Sequence, residues 1–206
     1  MIRRRGCADS ERAVAVIRRA AGWCLQYPDE GAFGALPVVR AAVDALPEQP
    51  ARAELSRLLE HLAATSPAEV AQHYVRTFDT SPRRCLYLTW YADGDTRRRG
   101  ASLVRIKRLY RAHGLTLLPG ELPDFLPVVL EFAGNEGAAG TALLTEYRPG
   151  LVLLAANLEK FGTPYASAVR AVLETLPRGD ASLPVVPPAE QVGLDPFPVA
   201  RPGAHR

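Results

Sequence analysis

The sequence predicts an all-α protein: a single-domain helical bundle followed by an extended, proline-rich tail. Three observations point there. Apolar residues recur at three- and four-residue spacing through most of the chain, helix start and stop signals punctuate the same stretches, and strand-like alternation is confined to one short segment.

Residues 10–26 place Val14, Ile17, Ala21 and Leu25 on one stripe and stop before Pro28, and residues 37–46 form a shorter helix. Residues 51–64 carry Leu55, Leu58, Leu59 and Leu62 along a single face. Ser66-Pro67-Ala68-Glu69 reads as a capping box, with Pro67 at the first helical position and Glu69 reaching back to the cap amide. Val70, Tyr74 and Phe78 then recur along one side, which directs His73, Arg76 and Thr77 elsewhere. Residues 85–92 alternate, Leu86, Leu88 and Trp90 against Tyr87, Thr89 and Tyr91. A lone strand has no partner, so this segment is read as a short helix or an extended connector.

Asp95 can cap a helix over 96–113 that buries Leu103, Ile106 and Tyr110 and ends at Gly114. Residues 123–133 give another. Residues 138–147 and 149–161 are two helices or one kinked helix, because Pro149 lacks the amide that a continuous ladder needs. Gly162 closes that unit, and Thr163-Pro164 open a last helix with an inner stripe of Tyr165, Val169, Val172, Leu173 and Leu176. The expected organisation is a flexible N-terminus at 1–9, a helical domain at 10–177, and an extended or disordered tail at 178–206, where Pro184, Pro187, Pro188, Pro196, Pro198 and Pro202 crowd together.

Composition excludes several classes. With 25 basic and 22 acidic residues the net charge is only +3, so the basic character is local and no nucleic-acid partner is expected. Cys7, Cys24 and Cys85 form no metal or disulfide pattern and fit reduced thiols in the cytoplasm. The basic start is not followed by the apolar segment of an export signal, and no apolar run approaches the roughly 20 residues of a membrane span. His61, His73, His113 and His205 share no metal-ligand spacing, and HExxH, P-loop, dinucleotide and GxSxG motifs are missing, so neither a catalytic residue nor a metal site is assigned.

The chemistry is concentrated between His73 and Gly100, where Tyr74, Phe78, Tyr87, Trp90 and Tyr91 stand among Asp79, Asp93, Asp95 and several arginines. Large rigid aromatic surface beside carboxylates suits a groove for a basic, amphipathic peptide. The candidate peptide-binding residues are His73, Phe78, Asp79, Tyr87, Trp90, Tyr91, Asp93, Asp95 and Asp124. Arg97, Arg98 and Arg99 sit at a helix N-terminus, where cations oppose the helix dipole. Either Asp93, Asp95 and Asp79 pair with them, or they contact an anion or an acidic partner.

The wording HYVRTFD, RRCLYLTWY and GDTRRRG, followed by ELPDFLPVVLEF at 121–132 and PPAEQVGLDPF at 187–197, resembles the NarJ family of nitrate reductase molybdenum cofactor assembly chaperones. Relatives commonly read Pro-Asp-His where this chain has Pro123-Asp124-Phe125, so no role of that histidine carries over. The resemblance implies an all-α fold of the NarJ/TorD/DmsD type and binding of the N-terminal segment of the nitrate reductase catalytic subunit. It also implies no permanent cofactor, with transient molybdopterin contact, and the two signature segments are expected to face each other. A monomer or weak dimer is expected. The competing readings are a helical module for an acidic ligand or nucleic acid, working through Arg83, Arg84, Arg97, Arg98, Arg99, Arg105 and Arg108, and a chaperone for another molybdoenzyme.

Overall fold

Ten α-helices follow one another in the computed structural model, which describes residues 4–177, with side chains from residue 9 onward. The tail at 178–206, His205, the Cys7 side chain and the first three residues of the expected flexible start lie outside the described residues. The helices are α1 (Arg4–Cys24), α2 (Glu30–Asp44), α3 (Pro50–Ala64), α4 (Pro67–Phe78), α5 (Leu88–Asp93), α6 (Arg97–Ala112), α7 (Leu126–Asn135), α8 (Gly137–Glu146), α9 (Arg148–Phe161) and α10 (Ala166–Glu174). Among the described residues the only β pairing is one isolated antiparallel bridge, Tyr87 to Phe125.

The apolar stripes read from the sequence are the packing faces. Ile17 and Ala21 of α1 and Leu25 just past its end, Leu55, Leu58 and Leu59 of α3, Val129 and Leu130 of α7, and Val169 and Val172 of α10 are all buried in one cluster. α1 is the central helix, packing on α7, α10, α3 and α2, while α10 is also held by α3 and α9. α6 packs chiefly on α5, and α5 in turn on α9. A side chain at Gly150 would place its Cβ 2.8 Å from that of Tyr91, so glycine is what lets α9 lie directly on α5. Gly162, at φ 76° in the left-handed region, ends α9 as the sequence suggested.

Several boundaries moved, each for a local reason. α1 starts at Arg4 rather than residue 10, because periodicity marks only where the buried face begins. α2 starts at Glu30, well before residue 37: Asp29 caps it by accepting from the Ala32 amide at 2.8 Å, and Pro37 falls inside. At α6 the cap is Thr96, not Asp95; its Oγ1 accepts from the Arg98 amide at 3.3 Å and donates to the Asp93 carbonyl at 2.9 Å. α7 begins at Leu126 rather than 123, since Pro123 and Asp124 spend their carbonyls on Tyr110 Oη and the Leu88 amide. Val14, Leu103 and Leu173 are half-buried rather than fully inside. The Ser66 capping box forms as read.

One feature of the core was not anticipated. Arg18 is completely buried, on the stripe assigned to apolar packing. Its five N–H groups reach Thr175 Oγ1 at 3.2 Å, the Ala133 carbonyl at 3.2 Å, the Gly137 carbonyl at 3.4 Å, Thr141 Oγ1 at 2.9 Å and the Thr175 carbonyl at 3.4 Å. Burial lowers its pKa, and the fork of the guanidinium ties α1 to the α7–α8 junction and the end of α10 without any carboxylate.

Candidate functional site

Two segments 35 residues apart in sequence are drawn together by backbone pairing. Leu126 donates to the Leu86 carbonyl at 2.7 Å, and Leu88 to the Asp124 carbonyl at 3.0 Å. The alternating stretch is therefore both things the sequence allowed. Residues 85–87 are extended because they pair with 124–126, and from Leu88 the chain turns into the short helix α5.

Asp124 locks this junction. It is fully buried, and its Oδ2 accepts from the Thr89 amide at 3.3 Å and from the Thr89 hydroxyl. Arg99 completes the cluster, with Nη2 3.8 Å from the same carboxylate oxygen and Nε donating to Thr89 Oγ1 at 3.2 Å. Removing a carboxylate from water costs several kcal/mol, which these charge-assisted bonds offset. Asp124 thus caps α5 and, through Arg99, fixes the start of α6. Its Oδ1 has no hydrogen-bond partner among the described residues.

A surface lies over the lock. The Tyr87 ring stands 5.6 Å from Phe125, centroid to centroid, with the Arg99 guanidinium 5.7 Å from the Tyr87 ring. Burial raises the Tyr87 pKa, and the charges of Asp124 and Asp79 add to it against the opposing pull of Arg99. Asp79 itself is exposed.

His73 occupies a second aromatic corner. Its Nε2 lies 2.7 Å from Thr163 Oγ1, and its ring stacks on Tyr165 at 5.8 Å and on Phe161 at 6.5 Å, with His61 edge-on at 6.4 Å. Burial, then Arg76 and His61, depress its pKa below the ordinary imidazole value. Phe161 is exposed and carries Arg84 over its face at 4.0 Å, while Arg84 Nε donates to the Thr77 carbonyl at 2.8 Å.

The nine candidate peptide residues thus divide by burial. Phe78, Tyr91 and Asp124 are interior. Tyr91 donates its hydroxyl to the carbonyls of Cys85 at 2.9 Å and Arg83 at 3.1 Å, and burial raises its pKa strongly. His73, Tyr87, Trp90 and Asp93 are half-buried, while Asp79 and Asp95 are exposed. The arginine run splits as well: Arg97 and Arg98 are exposed and Arg99 is half-buried on Asp124. Among the described residues no ion pair joins Arg97, Arg98 or Arg99 to Asp79, Asp93 or Asp95, so the expected pairing is replaced by the contact to Asp124. That partner is distant in sequence and close only through the Tyr87–Phe125 bridge.

Three contributors were missed. Thr77 is fully buried, its hydroxyl donating to the His73 carbonyl at 2.7 Å, although helical spacing had directed it away from the apolar stripe of Val70, Tyr74 and Phe78. Phe161 and Phe125 supply aromatic surface from other elements, and only their size could have marked them. The thiols offer little chemistry. Burial raises the pKa of Cys24 to about 12 and that of Cys85 upward as well, which suppresses the thiolate. Among the described residues no group of three or more His, Cys, Asp and Glu side chains could hold a metal, and no helix is long and apolar enough to cross a membrane.

Comparison with known proteins adds a second line. Residues 44–171 match the family described as nitrate reductase delta subunit. The chain is 38% identical over 161 residues to the nitrate reductase-like protein NarX of Mycobacterium tuberculosis, covering 78% of this chain but only 24% of that longer protein. It is 34% identical over 153 residues to a Bacillus subtilis protein described as the nitrate reductase molybdenum cofactor assembly chaperone NarJ, covering 74% of this chain and 83% of that one. A crystal structure from Archaeoglobus fulgidus, described as a redox enzyme maturation protein, superposes with a TM-score of 0.60 over 78% of this chain and 91% of its own, at 22% identity, and shares the fold.

Proposed function

Because this chain belongs to the nitrate reductase delta subunit family, the NarJ-type assembly chaperones, we propose that it holds the N-terminal segment of the respiratory nitrate reductase catalytic subunit in the cytoplasm until the molybdenum cofactor is inserted. The family's role is assembly rather than catalysis, and no chemical step is assigned to this chain. The observation that supports the reading is the junction of the two signature segments. Tyr87 and Phe125 form an aromatic platform on a rigid base of Asp124, Thr89 and Arg99.

An amphipathic peptide suits such a surface. Its apolar anchors rest on Tyr87, Phe125 and Trp90, and its basic groups meet Asp79 and the half-buried or exposed Asp93 and Asp95. The interior residues Phe78, Tyr91 and Asp124 support this surface from beneath. Ordering a disordered segment costs free energy, so the affinity is modest and the peptide releasable. Exposed Arg97 and Arg98, unpaired with any described carboxylate, are the groups available for a passing contact with the phosphate of molybdopterin as cargo.

The test is calorimetric titration with a peptide copying the first residues of the catalytic subunit, beside a scrambled copy of equal charge. We expect heat only from the native order, lost in Tyr87→Ala and Asp79→Ala; equal heats from both peptides would overturn the reading. Substituting the N-terminal segment of a different molybdoenzyme tests a paralogous target in the same cell. The acidic-ligand or nucleic-acid reading is weakened by geometry: Arg84 is committed to Phe161 and Thr77, Arg99 to Asp124, and Arg105 to Glu146 and Tyr147. It requires steeply salt-dependent binding, which a titration across ionic strength measures directly.

A further inference from the structure

Helix α6 carries arginine and lysine but no carboxylate. Val104, Lys107, Arg108 and Arg111 follow the i, i+3, i+4, i+7 spacing that puts them on one helix face, and all four are exposed. Among the described residues none of these three cations pairs with a carboxylate. The carboxylates around this end of the helix are placed otherwise: Glu136 is taken by His113 and Glu146 by Arg105, while Glu121 and Glu131 line a cavity of about 330 Å³ shared with Tyr110 and Phe132.

The helix runs directly into a loop, residues 114–122, that leaves leucine in water. Leu118 is 69% exposed, and Leu122 and Leu115 are 39% and 36% exposed. Both ends of the loop are pinned to Tyr110: the Leu115 amide donates to its carbonyl at 3.0 Å, and its hydroxyl donates to the Pro123 carbonyl at 2.8 Å. Tyr110 adjoins Arg111 in the chain and stands one turn from Lys107, so the leucines are held close to the basic face. At the tip, Leu118-Pro119-Gly120-Glu121 closes a tight turn, with the Glu121 amide donating to the Leu118 carbonyl at 3.2 Å and Gly120 at φ 89°. Proline second and a left-handed glycine third are the type II pattern, so the most exposed leucine sits on a preorganised turn. Clustered apolar exposure of this kind marks an interaction surface.

We propose that the C-terminal half of α6 and its leucine loop bind peripherally to the surface of an anionic lipid bilayer. Lys107, Arg108 and Arg111 meet the lipid phosphates, and Leu115, Leu118 and Leu122 enter the boundary between headgroups and acyl chains, where their apolar surface leaves water. A nucleic acid engages the cations and leaves the leucines wet, whereas a neutral apolar partner covers the leucines and leaves the cations unpaired. A bilayer of acidic lipid answers both features. The contact is superficial, since among the described residues no helix is long and apolar enough to cross a membrane.

The experiment is co-sedimentation of the full chain with sucrose-loaded vesicles of phosphatidylcholine, with and without phosphatidylglycerol. The parent should bind the anionic vesicles and not the neutral ones. Lys107→Gln combined with Arg108→Gln should weaken binding roughly thirtyfold, at about fivefold per cation. Leu118→Ser should weaken it by about five- to thirtyfold, from the apolar area no longer withdrawn from water. Val38→Ser, at an exposed valine on α2, should leave it unchanged, and circular dichroism melts check that these surface variants keep the fold. Equal binding to neutral vesicles, binding to neither kind, or a Leu118→Ser variant that binds like the parent overturns the proposal. The last result, joined to tight binding of duplex DNA, would assign the basic face to nucleic acid instead. No nitrate reductase peptide enters the measurement, so its outcome is independent of the proposed chaperone role.

Discussion

Replacing Tyr91 separates the two meanings that an aromatic residue in the 73–100 block can carry. The sequence groups Tyr91 with Asp79 as surface ligands whose removal should weaken peptide binding and leave melting unchanged. The fold places the Tyr91 ring in the interior against Gly150, with its hydroxyl on the carbonyls of Arg83 and Cys85, and leaves Asp79 exposed at the end of α4. Truncating a buried aromatic to alanine costs about 3–5 kcal/mol. Tyr91→Phe keeps the ring and loses only the hydroxyl, at about 1–2 kcal/mol. At about 2–4 °C per kcal/mol for a chain of this size, the alanine variant should melt roughly 6–20 °C lower and the phenylalanine variant roughly 2–8 °C lower. Asp79→Ala, with no buried group to lose, should stay within about 0.5 kcal/mol of the parent. Thermal melts followed by far-ultraviolet circular dichroism, backed by urea titrations, rank the three. If Tyr91→Ala melted with the parent while peptide binding disappeared, the ring would have to lie on the surface, and the described path of residues 85–93 would be wrong.

Other outcomes follow from the same contacts. Asp124→Ala removes the charged acceptor of the Thr89 amide and hydroxyl and the partner of Arg99, and should cost about 2–4 kcal/mol; urea titration measures the loss, and amide exchange should quicken first in α5 and the start of α6. Arg18→Lys should be nearly as damaging as Arg18→Met, about 2–4 kcal/mol, because a point ammonium cannot span Thr175, Ala133 and Thr141; full stability of the lysine variant would deny the guanidinium its bridging role. His73 tests the pH dependence. Its folded pKa is depressed by burial, then by Arg76 and His61, so the unfolded chain takes the proton more readily. The stabilisation is complete above the ordinary imidazole value of about 6.5 and is lost as pH falls through it toward the depressed value. Acidification should therefore lower the melting temperature more in the parent than in His73→Gln, and equal slopes would remove His73 from the account.

Local chemistry was legible wherever it was self-contained. The capping box at Ser66, the left-handed stop at Gly162 and the core stripes of α1, α3 and α10 each need only neighbours three or four residues away, and each appears where the sequence put it, with Val14 and Leu173 at the half-buried margins of their stripes. The binding block was legible as composition but not as geometry. Tyr74, Phe78 and Tyr91 are as aromatic as Tyr87 and Trp90, yet the first three are interior. Nothing in residue type distinguishes a ring that packs inward from one that remains half-exposed.

The all-α class, most of the helices and the segments that matter follow from residue order, because helix periodicity and capping are short-range effects. Tertiary structure alone decided what those segments do to one another. It gave Arg99 to Asp124 instead of to the nearby aspartates, and it sent Arg18 through an apolar face to hold α1, α8 and α10 together. It also made the strand-like stretch at 85–87 pair with 124–126. Each of these joins groups distant along the chain, and a buried polar group takes whatever partner the packing of helices brings within hydrogen-bond reach.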